Sequence, residues 1–544
     1  HRDLHYPLRR QRQMCIRDSP ITIGLSRQYD GTINASSNAT DSNTTESYSG
    51  LVGSETLTLT GQGSVASKNV SGSSQSVTLG TIALGNQSGA TTSSGGLASN
   101  YNLTSAALTI NQKVLNSNSS RIYNATTTAA ASDITLTNQV SGEALQLSNS
   151  AATSSKNVGS YSISNLSGVT ISDQAGANAS SGSLAANYTL TGGTHSFAIN
   201  PKAVNIAGTR QYNGTTNIAS SDISGITGTV NTETLTMSSG LGSTSSADVG
   251  TYNLTDTSAG TLALGNGSNG GLASNYTLTG GTQDYTITQR VLTSSGSKVY
   301  DANTNALAGA ITLSNLVSGE ALNHSGTATI GSANAGSYTI SNLSGISIAD
   351  GSGGAASNYT LTGGTHNFTV NRRVVGVSGT RLYDATTNAV ASDLSTHANL
   401  VGSQTLTLSG TGTIASKDVG SNKTVSVGTL ALGNGSNGGL AGNYTLSGGT
   451  HQLTVNQRPL NATLARQYDG TTASAGSTLS SFDALQGGEN LTMSGSGTAA
   501  SKNVANGIAM ASNGNLALVH GTGTASNYSL NSTVINISKR VLNS

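Results

Sequence analysis

Apolar and polar residues alternate along most of this chain, in short runs that turn residues interrupt. The runs Tyr188-Thr-Leu-Thr and His195-Ser-Phe-Ala-Ile, on either side of Gly192-Gly193, are typical. Alternation with a period of two predicts β-strands, and no stretch keeps the 3.6-residue period that predicts an α-helix. Many short strands separated by polar turns predict an all-β protein built from β-sandwich-like units.

One motif occurs six times and divides the chain into repeats. It reads Arg or Lys, any residue, Tyr, Asp or Asn, then Gly or Ala, and it is clearest at Arg466-Gln-Tyr-Asp-Gly470. Its tyrosines are Tyr29, Tyr123, Tyr212, Tyr300, Tyr383 and Tyr468. Their spacings of 94, 89, 88, 83 and 85 residues are module lengths, longer than the repeats of solenoid proteins.

The repeats predict six tandem modules of about 85 residues, Ig-like or β-grasp-like, arranged in an elongated rod. The predicted bounds are 20–112, 113–201, 202–289, 290–372, 373–457 and 458–538, with 539–544 as the start of a truncated seventh module. Junctions such as Ile199-Asn-Pro-Lys-Ala203 contain no flexible linker, so we expect restricted movement between modules. Six compact modules of roughly 30 Å each would form a rod of about 180–200 Å.

The two runs around Gly192-Gly193 are also the pattern of a β-hairpin, because tight hairpin turns need positive φ angles. A hairpin closed there pairs Tyr188 with Phe197. The equivalent tyrosines of three other modules are Tyr276, Tyr359 and Tyr444. In module 1, which lacks Gly-Gly, the corresponding distance from Tyr101 to Leu108 is seven residues instead of nine. A change of two residues preserves which face each side chain occupies, so it supports the strand assignment.

The repeated motif allows a functional and a structural interpretation. Arg27 and Tyr29 lie on one face of a strand, and the functional interpretation is a ligand-binding arginine. The structural interpretation is a core tyrosine followed by an Asx-turn, and one copy per module favours it. Since Ala replaces Gly in three copies, as at Ala302, we expect a negative φ angle there.

An acidic residue also recurs once per module, after a turn. The residues at this position are Glu55, Glu143, Glu233, Glu320, Gln404 and Glu489. One hypothesis pairs this residue with the motif arginine. The amide at Gln404 argues against a catalytic carboxylate.

Composition narrows the possible functions. Charged residues make up 9% of the chain, against roughly 25% in ordinary domains. The net charge is +1 and no basic stripe occurs, so nucleic acid is not an expected partner. No apolar run approaches the length of a transmembrane helix. The single cysteine, Cys15, excludes an intramolecular disulfide, which fits a bacterial surface better than an animal extracellular one.

Residues 1–19 match no repeat and contain five arginines and the only cysteine. We interpret them as a non-native tail, since Gln13–Ser19 resembles a translated sequencing adapter. The alternative is a genuine basic leader, although the segment has no apolar core and so is not a secretion signal. Without the five Arg and two Asp of this tail, the net charge changes from +1 to −2.

No residues predict catalysis, a cofactor or a metal site. His195, His366 and His451 occupy equivalent positions in separate modules and are expected on the surface. The loops 265–271 and 433–439 are rich in Gly and Asn but lack the acidic ligands of calcium sites. We therefore expect no enzyme activity from this chain.

The repeated Tyr-Asp-Gly, the Val-Gly-x-Tyr segment that ends at Tyr161 and Tyr252, and the Asn-Tyr-x-Leu run together resemble a known family. They are similar to the YDG repeat domains of very large bacterial surface adhesins, including proteins similar to filamentous haemagglutinin. The resemblance covers residues 20–538. It implies secretion by a two-partner route, with an outer-membrane transporter, and it supplies no functional residues.

Three functions therefore remain open. The first is an internal stalk of a secreted adhesin, which attaches to a host cell, a glycan or an abiotic surface through many weak contacts. The second is a tandem glycan-binding array with an exposed tyrosine cluster in every module. The third is a set of non-catalytic repeats of a large secreted enzyme.

Overall fold

The computed structural model describes residues 19–36, 44–88, 96–163, 166, 168–174, 184–254, 259–340 and 343–541. Residues 1–18, which hold nearly all of the predicted tail, and residues 542–544, at the predicted seventh module, lie outside this part. Within the described residues, secondary structure consists of β-strands and short 3₁₀ turns, without an α-helix. The all-β prediction is confirmed.

The strands form six consecutive groups, one for each predicted module. Those of modules 1 and 2 are Ser19–Gln28, Asn34–Ser36, Thr45–Ser49, Leu57–Thr60, Gln62–Ser64, Gln75–Ser76, Ala83–Asn86, Tyr101–Asn111, Lys113–Val114, Asn116–Ile122, Thr128–Ala130, Leu136–Thr137, Leu145–Ala152, Gly159–Ser162, Val169–Asp173, Tyr188–Thr189 and His195–Asn200. Those of modules 3 and 4 are Lys202–Ala203, Asn205–Gln211, Asn217–Ala219, Ile223–Thr227, Leu235–Ser239, Leu241–Ser243, Gly250–Asn253, Ala263–Asn266, Tyr276–Thr277, Gln283–Thr288, Arg290–Val291, Thr293–Val299, Asn305–Leu307, Ile311–Ser314, Leu322–Thr329, Gly336–Thr339, Ile346–Asp350, Tyr359–Thr360 and His366–Asn371.

Modules 5 and 6 continue the same order of strands. Their strands are Arg373–Val374, Gly376–Leu382, Asn388–Val390, Thr396–Ala398, Leu406–Ser409, Thr411–Ile414, Gly420–Ser426, Ala431–Asn434, Tyr444–Thr445, His451–Asn456, Arg458–Gln467, Ala473–Ala475, Leu479–Phe482, Leu491–Ser494, Ser496–Ala499, Ala505–Ser512, Ala517–His520 and Tyr528–Ser538. The 3₁₀ turns are Ala98–Asn100, Ala131–Asp133, Ala185–Asn187, Ser220–Asp222, Ala273–Asn275, Ala308–Ala310, Ala356–Asn358, Ala391–Asp393, Ala441–Asn443, Gly476–Thr478 and Ala525–Asn527.

Module 4 shows the arrangement of strands most clearly. Its first strand, Thr293–Val299, runs parallel to its last strand, His366–Asn371, at the centre of a four-stranded sheet. Ile311–Ser314 and Gly336–Thr339 flank this pair as antiparallel edge strands. A second, antiparallel sheet contributes Ala306, Ala328 and Ile346 to the same buried core as Phe368 and Val370. The central parallel pair departs from the wholly antiparallel sheets of Ig domains.

The predicted hairpin at Gly192-Gly193 is wrong. Tyr188–Thr189 pairs in parallel with Lys113–Val114, and His195–Asn200 pairs in parallel with the next part of the same first strand. Residues 190–194 therefore form a bulge in one long last strand, closed by the Gly193 N–H donating to the Leu190 carbonyl at 3.2 Å. In module 1, the uninterrupted strand Tyr101–Asn111 takes its place, with a smaller irregularity. Alternation alone could not show which strand each run pairs with.

The chain divides into two compact units. One contains the residues up to Arg210 and Thr215–Ile287, and the other contains Gln211–Gly214 and Thr288–Ser544. Within each unit, the buried core is continuous from one module to the next. In the first unit, for example, Ile23 and Leu108 of module 1 share a core with Tyr188 of module 2.

Candidate functional site: the junction between modules

Each motif tyrosine belongs to two modules at once. The backbone N–H of Tyr29 donates to the carbonyl of Asn111, the last residue of the last strand of module 1, at 2.9 Å. Its side chain is fully buried and contacts Tyr188 of module 2 edge to face, with ring centroids 5.4 Å apart. Such pairs stabilise beyond the area they bury. The motif tyrosine is therefore a plug that connects neighbouring modules.

A carboxylate from the second module joins the two tyrosines. The Tyr29 hydroxyl donates to Glu143 Oε1 at 2.6 Å, and the Tyr188 hydroxyl donates to Glu143 Oε2 at 2.5 Å. The Val140 N–H donates to the Tyr188 hydroxyl at 3.3 Å. We call this group of two tyrosines and the residue between them the Tyr–Glu–Tyr bridge. The predicted pairing of this glutamate with the motif arginine is wrong.

The same bridge occurs at five junctions. Its members are Tyr29, Glu143 and Tyr188; Tyr123, Glu233 and Tyr276; Tyr212, Glu320 and Tyr359; Tyr300, Gln404 and Tyr444; and Tyr383, Glu489 and Tyr528. The ring centroids are 5.2 to 5.4 Å apart in all five. Tyr528, which was not among the predicted residues, has the place of Tyr188 in the last junction.

Module 5 carries a neutral version of the bridge. Gln404 accepts from the Tyr444 hydroxyl at 2.5 Å with its amide oxygen and donates to the Tyr300 hydroxyl at 2.9 Å with its amide nitrogen. The amide therefore satisfies both tyrosines, although the direction of one hydrogen bond is reversed. The junction needs a side chain with two hydrogen-bonding atoms and does not need a charge.

Lysines from the preceding module face three of the carboxylates. Lys417 lies 2.6 Å from Glu489, and its ammonium group also lies 5.8 Å from the centre of the Tyr383 ring. Lys68 and Lys156 lie farther from their partners, 3.7 Å from Glu143 and 3.9 Å from Glu233. These lysines place a positive charge beside a carboxylate that the junction buries.

Burial and hydrogen bonding shift the titration of the bridge. Burial, then the hydrogen bond to the glutamate, raises the pKa of Tyr212 and Tyr276 to about 12. Burial alone would raise the pKa of Glu489, but hydrogen bonds from Lys417 and the two tyrosines outweigh it and lower that pKa. The bridge is therefore held as a carboxylate with two neutral tyrosines near neutral pH.

A buried asparagine makes a second contact at the junction. The side chain of Asn187, just before Tyr188, accepts from the Val70 N–H at 2.8 Å and donates to Asn69 Oδ1 at 3.0 Å in module 1. Asn275, Asn443 and Asn527 make the same pair of contacts. Sequence analysis assigned these asparagines no role, although an Asn before the tyrosine in each module was visible as a signal.

The motif arginine serves its own turn. Arg27 is buried and donates to the Thr32 carbonyl at 2.8 Å, and it forms an ion pair with Asp30. Asp30 in turn accepts from the Thr32 N–H at 2.9 Å, which confirms the predicted Asx-turn. Because the turn occupies this guanidinium, the structure gives no support to a ligand-binding arginine.

The expected negative φ angle after the Asx residue is wrong. The glycines at this position have φ angles of 78 to 82°, and the alanines Ala125, Ala302 and Ala385 have 62 to 63°. A Cβ is tolerated there at the cost of left-handed strain.

The three histidines are buried, so their predicted surface position is also wrong. His366 Nε2 lies 2.8 Å from the Leu361 carbonyl and its Nδ1 lies 2.9 Å from Ser294 Oγ. His195 closes its bulge with the same pair of contacts, and His451 bonds the Leu446 carbonyl in the same way. Gln283 replaces the histidine in module 3 and donates to the Leu278 carbonyl.

Other parts of the described chain contain less chemistry. No group of three or more His, Cys, Asp or Glu side chains there could hold a metal ion, and none of its helices has the length and apolar character to cross a membrane. Tyr468 is half-buried beside Val504 and Arg540. A cavity of about 690 Å³ in module 2 is lined mainly by small and polar residues around Leu136 and Leu147. The bridges are therefore the most regular polar sites of this structure.

Comparison with known families identifies the repeat. The family model of the YDG domain matches residues 18–110, 106–196, 282–366, 369–452 and 450–535. Residues 197–281 lie between two of these matches and form most of the third group of strands. A comparison with curated proteins found no match. Since the matched segments cover well over half of the sequence, the chain belongs to the YDG domain family, whose domain it carries in tandem.

Proposed function

We propose that this chain is a non-catalytic stalk segment of a secreted bacterial surface adhesin. Its modules give reach and attach to a host cell, a glycan or an abiotic surface through many weak contacts. The observation that carries the proposal is the bridge, which joins consecutive modules in the same way at five junctions. A repeated rigid contact makes the separation between neighbouring modules reproducible, as a spacer requires.

The proposal includes the place of the protein. The chain would be exported to the cell surface through an outer-membrane transporter. Its low charge and its Ser-, Thr- and Asn-rich surface suit contact with varied surfaces through many copies of one module. Multiple copies raise overall binding without any single strong site.

The burial of the tyrosines weakens the alternative of a glycan-binding array. Such an array needs exposed aromatic rings in each module, yet nine of the ten predicted tyrosines are at most 5% exposed. Their hydroxyls are also engaged by the bridges. The spacer therefore has better support than the array.

Surface labelling of intact cells tests the proposal. An epitope tag inserted at the exposed Gly363 turn of module 4 should be labelled by antibody on intact bacteria that express the parent protein. Deletion of module 5, residues 373–457, should leave labelling unchanged and weaken attachment of the cells. Labelling only after lysis would overturn the proposed location, and undiminished attachment would overturn the proposed role.

A glycan array probed with the whole chain separates the two binding hypotheses. The stalk proposal expects weak binding without saturation at any one glycan. Saturable binding that falls in proportion as modules are deleted would favour the glycan array instead.

A further inference from the structure

We infer that each module is a mechanical clamp, which resists tension applied at its two ends because its first and last strands are sheared against each other. The inference goes beyond the proposed function, since it concerns the response of a module to force and not where the protein is located. It rests on which strands pair, in which direction, and where the chain enters and leaves.

The terminal strands of every module are neighbours and run in the same direction. In module 1, Ser19–Gln28 pairs in parallel with Tyr101–Asn111 over ten residue pairs. In module 6, Arg458–Gln467 pairs with Tyr528–Ser538 over ten as well. In module 4 the pairing extends over two residue pairs before the bulge and six after it.

This direction determines how a pulling force acts. The chain enters module 4 at Arg290, at one end of the parallel pair, and leaves at Asn371, at the other end. Tension between these points slides the two strands along each other, so the hydrogen bonds across the pair are loaded together. If the strands were antiparallel and joined at one end, the same tension would open their bonds one after another. Breaking many bonds together has the higher barrier.

The motif tyrosine closes the clamp where the load leaves. Its backbone N–H donates to the last residue of the last strand, from Tyr29 to Asn111 and from Tyr300 to Asn371, at 2.9 Å in both cases. The distance is 2.8 to 2.9 Å in the other four modules. The side chain of the same tyrosine enters the bridge to the next module. Tension that passes from one module to the next therefore meets a second connection beside the peptide chain.

Neither clamp strand can leave from an edge. In module 4, Ile311–Ser314 covers the outer side of the first strand, and Gly336–Thr339 covers the outer side of the last strand. Both clamp strands also bury side chains, among them Phe368 and Val370. Sliding must therefore break two further ladders or expose the core.

Single-molecule pulling in two directions tests the inference on the full chain. Cys15 is replaced by Ser, and pairs of exposed residues are replaced by cysteines that carry DNA handles. Gln289→Cys with Arg372→Cys applies tension at opposite ends of the parallel pair of module 4. Gln289→Cys with Thr362→Cys is the matched control, because Thr362 lies in the bulge, near the end where the first strand begins. Both pairs load module 4 alone.

The first pair should open at a force higher by about twofold or more than the control at the same loading rate. Opening should release about 83 residues of chain for the first pair and about 73 for the control, or roughly 290 and 260 Å when extended, less the folded separation. These lengths verify that module 4 was folded in both variants. Equal opening forces with the correct lengths would overturn the clamp, and would leave the proposed location of the protein untouched.

Discussion

Glu233 accepts hydrogen bonds from two buried tyrosines, so its replacement by alanine should loosen the contact between modules 2 and 3. The carboxylate is 5% exposed and accepts from Tyr123 at 2.8 Å and from Tyr276 at 2.5 Å. In Glu233→Ala both hydroxyls lose their acceptor in a place that water reaches poorly. We therefore expect opening of this junction to become easier, without unfolding of either module.

The size of the effect follows from the two bonds. A hydrogen bond to a charged group contributes about 1.5–3 kcal/mol. The desolvation of the carboxylate, which the mutation removes, offsets part of this sum, and Lys156 at 3.9 Å compensates the buried charge only weakly. A net loss of about 3 kcal/mol is a reasonable value, which corresponds to roughly a hundredfold change in the opening equilibrium.

Amide hydrogen exchange of the full chain measures this opening. The Val158 N–H donates to Asn275 across the junction at 2.9 Å, and the Val230 N–H donates to the Tyr276 hydroxyl at 3.0 Å. Both amides should exchange about a hundredfold faster in Glu233→Ala. Val70, the equivalent amide between modules 1 and 2, should be unaffected.

Two further variants make the result decisive. Glu233→Gln copies the neutral bridge of Gln404 and should cost only about 1 kcal/mol, since both tyrosines keep a partner. Asp284→Ala removes an exposed acid of the same module and should change neither amide. If Val158 and Val230 exchange at the wild-type rate in Glu233→Ala, the carboxylate does not hold the modules together and the reasoning fails.

Three other predictions concern pH, backbone strain and the bulge. Burial and glutamate hydrogen bonds raise the pKa of Tyr212, Tyr276 and Tyr528 from 10.0 to about 12, so the folded chain keeps protons that the unfolded chain releases; urea midpoints should fall between pH 10 and 12, and a flat profile would contradict this. Ala302→Gly should stabilise module 4 by about 1 kcal/mol in urea, because Ala302 has a φ angle of 62°, whereas Gly214→Ala should destabilise, because its Cβ would meet Val317 at 2.9 Å. His366→Gln should cost less than about 1 kcal/mol, as Gln283 shows in module 3, but His366→Leu should cost about 1–3 kcal/mol by leaving the Leu361 carbonyl unpaired; equal midpoints for the two variants would refute this role.

Local signals in the sequence were sufficient for local structure. The Asx-turn at Asp30 forms within three residues, so the residue types alone predicted it. Alternation likewise predicted strands at Tyr188–Thr189 and His195–Asn200. The same alternation could not reveal that these strands pair with residues about 75 positions earlier in the chain.

The junction depended on more distant contacts. Tyr29 and Glu143 are separated by 114 residues, so no local pattern connects them, and the glutamate was instead assigned to the arginine by charge. The φ angle failed for a different reason. Alanine was taken as evidence against a left-handed residue, but the turn around Ala385 imposes that conformation in spite of its cost.

Variation among the five junctions shows which part of the bridge the fold requires. Where a lysine lies near the carboxylate, at Lys68, Lys156 and Lys417, the bridge residue is a glutamate. At the junction with Gln404, Asn334 makes the contact with Asn443 that Asn69 and Asn157 make elsewhere, and the residue before it is Ala333 instead of lysine.

A buried carboxylate is costly without a nearby cation, whereas an amide has no such need. The loss of charge on both sides of one junction is therefore self-consistent, and hydrogen bonding to two tyrosines is what all five share. The tyrosines cannot be exchanged as easily, because each must close its own module with its backbone and fill the next with its ring. This double role accounts for a tyrosine in every copy of the motif, while its neighbours vary between Asp and Asn and between Gly and Ala.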